Sequence, residues 1–180
     1  MNYDVFKGEL VRLWAINPEK IGQVLSRWVQ DSEFSRLGDA GPVTLHSPKQ
    51  IQEFFEKELK EGYFFAIHAL ADDKLIGIID LTGFDWAARN TWLAIGLGER
   101  EYWGKGFGTD AMKVILRFAF RELNLHRINL NVFEYNSRAI HCYEKVGFKH
   151  EGRMRDCLNR DGRRWDLVYM GLLRSEWEVD

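Results

Sequence analysis

The chain has 180 residues, of which 46% are hydrophobic and 14% aromatic, enough for one compact domain with a sizeable core. Its 25 Lys and Arg residues against 27 Asp and Glu residues give a net charge of −2, which excludes a general positive field that would recruit nucleic acid. No apolar run approaches the roughly 20 residues that cross a bilayer, and neither end has the pattern of a targeting segment. We therefore expect a single domain over residues 1–180 with no nucleic-acid or membrane partner.

The cysteines and histidines argue against a redox centre or a metal site. Cys142 and Cys157 form no Cys-x-x-Cys pair, which favours a reducing compartment and predicts a cytoplasmic protein. We expect Cys142 to be a small packing residue, because no acyl-enzyme constellation surrounds it. The five histidines include no pair four residues apart, so the prediction is that no metal is bound.

The first part of the chain combines one strand, two helices and a long loop. Alternating apolar residues predict the strand, and Asn-Pro and Ser-Pro pairs predict the helix starts. The loop contains two glycines and a proline and is the kind of segment that forms a wall of a substrate site. In order, these elements are a strand over 8–16, a helix from Pro18 to about residue 30, a loop over 31–47 and a helix from Pro48 that ends at Gly62.

The rest of the chain alternates strands and helices and ends in a hairpin. The pattern predicts strands over 63–70, 74–82 and 91–97, a helix from the turn near 106 to about 123, a strand over 127–133, a helix over 137–146 and a hairpin turning at 159–162. We therefore predict an α+β fold: a mixed, mostly antiparallel twisted sheet with helices on both faces.

The most informative segment is the glycine-rich turn between a strand and an amphipathic helix, over residues 96–109. Such a turn presents consecutive backbone amides to an anion at the positive end of a helix dipole. Glycines permit positive φ and a close approach of the ligand. We therefore predict a phosphate-bearing cofactor whose pyrophosphate is held by the amides of Trp103, Gly104, Lys105, Gly106, Phe107, Gly108 and Thr109.

Two other phosphate-binding motifs fit this turn less well. A P-loop requires a Gly-Lys pair followed by a hydroxyl residue, and Lys105 is followed by Gly106. A dinucleotide-binding turn requires a different glycine spacing and an acidic residue at the end of the next strand, where Glu134 alone is a weak match. A turn with a purely structural role is the remaining alternative.

A second segment, over residues 136–148, predicts a short capped helix. Asn136 and Ser137 form its cap, Tyr143 lies on its apolar face, and Gly147 stands at the left-handed position after its end. Together the two segments resemble the GNAT (Gcn5-related N-acetyltransferase) superfamily. The first matches its Gln/Arg-x-x-Gly-x-Gly/Ala loop, although Trp103 stands at the position of the usual Gln or Arg, and the second matches its Asn-x-x-Ala-x-x-x-Tyr-x-x-x-Gly-Phe element.

The resemblance covers nearly the whole chain and is strongest to the RimJ/RimL-type branch, which includes protein N-terminal and spermidine acetyltransferases. It implies a sheet of about seven strands that splays between strands 4 and 5, with acetyl-CoA in the gap. It also implies cofactor contacts from Asn136 and Arg138 and a catalytic role for Tyr143. The implied activity is direct transfer of an acetyl group to a primary amine in a ternary complex.

The chemistry of the transfer assigns roles to further residues. The reaction needs a neutral amine, an anchored carbonyl and a protonated leaving sulfur. Backbone groups of Gly96, Leu97 and Gly98 at the strand end can hold the pantetheine arm and polarise the thioester carbonyl. The Tyr143 phenol, with an ordinary pKa of about 10, is protonated at neutral pH and can act as the general acid. The candidate general bases are the carboxylates Glu99 and Asp80.

The sequence leaves the identity of the amine acceptor and the oligomeric state open. The acceptor is a protein N-terminal amine, a polyamine or another small amine. Two interpretations are open for Trp14, Trp28, Phe34, Trp86 and Trp92: an apolar acceptor wall, or packing in the core and at an interface. A homodimer through the closing hairpin or exposed aromatics is a further expectation. The alternatives to an enzyme are a non-catalytic acyl-CoA-binding regulatory protein and a nucleotide-binding domain.

Overall fold

The computed structural model describes residues 4–177, which fold as a seven-stranded sheet with helices on both faces. The strands are β1 (Val11–Ala15), β2 (Tyr63–Ala69), β3 (Leu75–Asp85), β4 (Asn90–Leu97), β5 (Arg127–Phe133), β6 (Lys149–Arg160) and β7 (Arg163–Leu173). The helices are α1 (Pro18–Trp28), α2 (Ser32–Gly38), α3 (Pro48–Glu58), α4 (Phe107–Arg117) and α5 (Ser137–Lys145).

The sheet is antiparallel except at one junction. Its strand order is β1-β2-β3-β4-β5-β7-β6, and β4 and β5 form the parallel pair. These two strands are paired at three positions, from Asn90 with Arg127 to Trp92 with Asn129. Beyond them β4 continues to Leu97 without β5 beside it. The predicted α+β class, the number of strands and the splay between strands 4 and 5 are therefore confirmed.

The helices divide between the two faces of the sheet. On β2, Ala66 packs in the apolar cluster that contains α1 and α3, whereas the next residue, Ile67, packs in the larger cluster that contains α4. Because successive side chains of a strand point to opposite faces, the two clusters lie on opposite sides of the sheet. Helix α5 joins the larger cluster through Tyr143.

Helix α2 is the main departure from the predicted elements, because it lies inside the predicted loop over 31–47. Asp31 is its N-cap and accepts a hydrogen bond from the amide of Glu33 at 3.1 Å. The helix has seven residues and none of them is fully buried. It therefore lacks the apolar periodicity from which a helix is predicted.

Smaller departures concern element ends. Strand β1 begins at Val11 rather than residue 8, and the helix predicted to reach about 123 ends as α-helix at Arg117 and continues as a π-helical turn over Phe118–Glu122. The hairpin turn is confirmed: Asp161 and Gly162 both have positive φ, as a two-residue type I′ turn requires.

Asp110 on α4 holds the segment that precedes β1. Its buried carboxylate accepts hydrogen bonds from the amides of Glu9 at 3.2 Å, Leu10 at 2.8 Å and Val11 at 3.0 Å. A Cβ at Gly8 would lie 2.3 Å from this carboxylate, so glycine allows the close approach. The first strand is thus anchored to the helix that follows the glycine-rich turn.

We predict that Asp110→Ala lowers the free energy of unfolding by about 2–4 kcal/mol, because three amides lose a charged acceptor and the amide of Val11 is buried. Urea denaturation measures the change. Asp4→Ala, which removes an exposed ion pair with Arg12, is the control and should cost less than about 1 kcal/mol. Equal losses in the two variants would contradict the anchoring role.

Candidate functional site

A cavity of about 890 Å³ opens where β4 and β5 part. Its floor is formed by the ends of β3 and β4, one side by the glycine-rich turn and α5, and the other side by α1, α2 and residues 38–46. Eleven residues predicted to bind the cofactor or to act in catalysis meet in its lining: Asp80, Gly96, Leu97, Trp103, Gly104, Gly106, Gly108, Thr109, Asn136, Arg138 and Tyr143.

The end of β4 presents backbone groups to this cavity. Gly96 and Leu97 line it, and their edge is not paired with β5. The indole Nε1 of Trp103 donates a hydrogen bond to the carbonyl oxygen of Leu97 at 2.7 Å. Gly98 does not line the cavity; a Cβ there would lie 1.9 Å from the ring of Trp28, so the glycine lets this ring pack against the strand end.

The glycine-rich turn has the geometry of an anion site. Gly104 and Gly106 have φ of +69° and +90°, in the left-handed region that favours glycine. Gly106 is the N-cap of α4 and supplies no side-chain cap, so the first amides of this helix have no partner within it. These amides and the helix dipole favour a phosphate group.

Three of the residues predicted at this turn behave differently from expectation. Gly108 lies inside α4 and needs no left-handed backbone, although it lines the cavity. Lys105 is exposed and does not line the cavity. Phe107 turns into the core, where its ring contacts that of Tyr102 with 4.9 Å between centroids. The backbone amides of Lys105 and Phe107 remain candidates for a phosphate, but their side chains do not.

Trp103 lies between two arginines. The guanidinium carbon of Arg138 stands 3.8 Å from its ring centroid, and that of Arg100 stands 4.9 Å away. Arg100 is neutralised by ion pairs with Asp31 and Glu33 at the start of α2. Arg138 makes no hydrogen bond or ion pair with another residue in the range 4–177, and it lines the cavity. It is therefore a cation beside this turn that is available to an anionic ligand.

Asn136, the N-cap of α5, and Tyr143, within α5, line the same cavity. The side-chain oxygen of Asn136 caps the helix by accepting from the amide of Ala139 at 3.2 Å. Tyr143 is 7% exposed, and burial raises the pKa of its phenol above the ordinary value. The phenol therefore stays protonated over the whole physiological range, as a proton donor requires.

Asp80 extends from β3 into the opposite half of the cavity. It is half-buried, and its neighbours across the sheet are Phe64 on β2 and Ala94 on β4. Burial raises the pKa of this carboxyl to about 7. Within residues 4–177 no side chain or amide bonds to it, so it can accept a proton near neutral pH.

Glu99, the other predicted base, does not line the cavity. Its carboxylate accepts a hydrogen bond from the indole Nε1 of Trp28 at 2.8 Å and forms an ion pair with Lys74 at 2.8 Å. Burial alone would raise the pKa of Glu99, but the bonds from Lys74 and Trp28 outweigh it and lower the pKa. This arrangement gives Glu99 a structural role and favours Asp80 as the base.

The acceptor side of the cavity differs from an aromatic wall built by all five of the residues named above. Of the five aromatic residues expected there, Phe34 lines it, and Trp14, Trp28, Trp86 and Trp92 do not. Cys142, expected to be a packing residue, is half-buried in the lining, with its sulfur 3.4 Å from Thr109 Oγ1.

No helix among residues 4–177 is long and apolar enough to cross a bilayer.

Arg160 at the end of β6 fixes the acceptor-side segment and was also missed. Its guanidinium donates to the carbonyl oxygens of Arg36 at 2.7 Å, Asp39 at 3.0 Å and Gly41 at 3.2 Å. In the sequence it belongs to a basic run over 145–164 that is typical of a solvated strand. Nothing local indicates that it reaches a segment more than a hundred residues earlier.

Comparison with known proteins agrees with this geometry. The family model described as the acetyltransferase (GNAT) domain matches residues 11–149, and the chain belongs to this family. An N-acetyltransferase of the SPbeta prophage of Bacillus subtilis (YokL) is 32% identical over 96% of this chain and 95% of its own length. The spermidine N(1)-acetyltransferase of Vibrio cholerae is 33% identical over 67% of this chain and 74% of its own length.

A solved structure shares the fold. The spermidine N-acetyltransferase from Vibrio cholerae in complex with CoA and spermine superposes with a TM-score of 0.82, at 24% identity, over 93% of this chain and 97% of its own. The family membership and the shared fold bear out the resemblance found from the two motifs.

We predict that Arg138→Met raises the KM for acetyl-CoA about tenfold, because a charged hydrogen-bond donor to phosphate is lost. Initial-rate kinetics at a fixed amine concentration measure the effect. Arg163→Met is the matched control, because Arg163 also lies 3.8 Å above a tryptophan ring, that of Trp165, but outside the cavity. A similar rise in both variants would show that Arg138 does not bind the cofactor.

Proposed function

We propose that the protein is an acetyl-CoA-dependent N-acetyltransferase that acetylates a primary amine by direct attack in a ternary complex. One observation carries the proposal: the gap between β4 and β5 joins the uncapped start of α4, the unpaired end of β4 and the Tyr143 phenol in one cavity. Acetyl-CoA supplies the activated acetyl thioester when it is bound. The residues at the glycine-rich turn fit its phosphates, as described above.

The binding residues are proposed to act at two places. The amides of the turn over 104–109, with Arg138, bind the negatively charged phosphates. Backbone groups of Gly96 and Leu97 hold the pantetheine arm along the open edge of β4 and orient the carbonyl. Asn136, which also lines the cavity, is proposed to contact the cofactor.

The proton transfers are proposed for two side chains in opposite halves of the cavity. Asp80 accepts the proton that the attacking ammonium must lose, because its carboxyl is partly ionised near neutral pH and free of partners within the described range. Tyr143 holds a proton for the departing sulfur, because its phenol remains neutral. The compartment we propose is the cytoplasm, which is supported by the two free thiols Cys142 and Cys157.

We predict that Tyr143→Phe lowers kcat about 100-fold while the Kd of acetyl-CoA changes little, because the phenol oxygen acts on the leaving group and the ring keeps its packing. Release of free CoA in the presence of an amine measures kcat, and calorimetry measures the Kd. Acetyl-CoA that binds to the wild-type protein without turnover of any amine would instead identify a regulatory acyl-CoA-binding protein.

We also predict a pH signature of Asp80. Its pKa is about 7 in the folded protein and about 4 in the unfolded chain, so its contribution to stability is fully present below pH 4 and is lost as the pH rises through 7. Relative to Asp80→Asn, which does not titrate, the wild-type protein should lose about 2–4 kcal/mol of unfolding free energy over this range.

Urea denaturation of both proteins across this pH range measures the difference, and kcat/KM of the wild-type enzyme should rise through about pH 7 over the same interval. A stability difference that is independent of pH would show that the Asp80 carboxyl is not held in an apolar environment. If kcat/KM of the Asp80→Asn variant rises through the same pH range, the general base is a group other than Asp80.

A further inference from the structure

The half of the cavity that lies away from the glycine-rich turn is walled by apolar side chains. Helix α1 and the residue that follows it contribute Leu25 and Val29, α2 contributes Phe34, and β3 contributes Ile78. A Cβ at Gly96 would lie 3.4 Å from the ring of Phe34, so this ring covers the end of β4 directly. Ile78 pairs with Gly96 across the sheet and is two residues from Asp80 on the same face. Asp80 is thus surrounded by apolar groups.

Only one of the carboxylates that line this half, among residues 4–177, lies below the surface. The lining includes two carboxylates, those of Asp80 and Asp39. Asp39 is exposed, and its Oδ1 accepts a hydrogen bond from the amide of Gly41 at 2.7 Å within its own turn. Among residues 4–177, Asp80 therefore provides the one half-buried carboxylate that faces this half without a hydrogen-bond partner.

The entrance on this side is also apolar. Val43 and Phe54 line it and are 41% and 53% exposed. Large apolar side chains exposed together beside a cleft mark a binding surface for apolar groups. The segment that carries Val43 is held in place by the bonds from Arg160 to the carbonyls of Arg36, Asp39 and Gly41.

The number of charges on the acceptor decides which amine this half can accept. An ammonium that leaves water must meet a carboxylate or another acceptor, and a charge that is buried without one is strongly unfavourable. One carboxylate in an apolar wall satisfies one ammonium. A polyamine carries several, and its further charges would lie against Leu25, Val29 and Phe34.

Resting on the acetyltransferase activity proposed above, we infer that the acceptor is a monoamine whose single primary amino group is attached to an apolar, aliphatic or aromatic, body. The amine lies at Asp80, and the body packs against α1, α2 and the Val43 segment. This chain thereby differs in acceptor class from its relative named spermidine N(1)-acetyltransferase. The same chemistry is offered by a free arylalkylamine and by the first residue of a peptide with an apolar side chain.

The test compares kcat/KM for four acceptors with saturating acetyl-CoA: phenethylamine, hexylamine, a tetrapeptide beginning with leucine, and spermidine. We expect at least one apolar monoamine to exceed spermidine about tenfold or more, and the ranking of the first three identifies the source of the amine. Spermidine equal to or better than all three overturns the inference and leaves the acetyltransferase activity intact. No turnover with any amine refutes the acetyltransferase activity, and with it the inference.

A pair of exposed-site variants tests the wall itself. Val43→Glu places a second carboxylate at the entrance and should lower kcat/KM for the preferred apolar amine about tenfold while raising that for spermidine. Leu45→Glu is the matched control, since Leu45 is 70% exposed on the same segment and does not line the cavity. Equal effects of the two variants, or no change in the ratio of the two substrates, would contradict the inference.

Discussion

The arrangement of this site depends on the early separation of β4 from β5. The two parallel strands share three residue pairs, after which the open edge of β4 runs to Leu97 along the cavity. At the point of separation the side-chain amide of Asn129 donates to the carbonyl of Thr91 at 3.1 Å, which fixes the last paired residues. Backbone groups that would otherwise be used in the sheet are thereby left for a ligand, and the glycine-rich turn and α5 meet in the same gap.

The two halves of the cavity are joined by a chain of charge and ring contacts. Trp103 stands at the position where a polar residue is usual in this family's loop, and its indole links the carbonyl of Leu97 to the guanidinium of Arg138. On its other side it meets Arg100, whose ion pairs hold the start of α2. A cation–π contact of this kind orients a guanidinium without neutralising it. The cofactor turn and the acceptor wall are therefore connected through these contacts.

Those parts of the site whose conformation is determined by residues close in sequence could be predicted. The positive φ of Gly104 and Gly106 and the cap at Asn136 each depend on neighbours within a few residues, so the glycine-rich turn and α5 could be predicted. The environment of Glu99 could not be predicted in this way, because its partners Trp28 and Lys74 come from distant parts of the chain. Arg160 and the seven-residue α2 were missed for the same reason: their positions are set by tertiary contacts and not by periodicity.

The proposed activity requires that the amides at the start of α4 bind the phosphates of the cofactor. A ¹H–¹⁵N correlation spectrum recorded during a titration with CoA tests this most directly. We expect the largest shifts at the amides of residues 104–109, and little change at Ala87 and Ala88 in the turn between β3 and β4, at the opposite end of β4 from Leu97. Saturable binding of CoA with the shifts confined to residues outside the gap between β4 and β5 would contradict it.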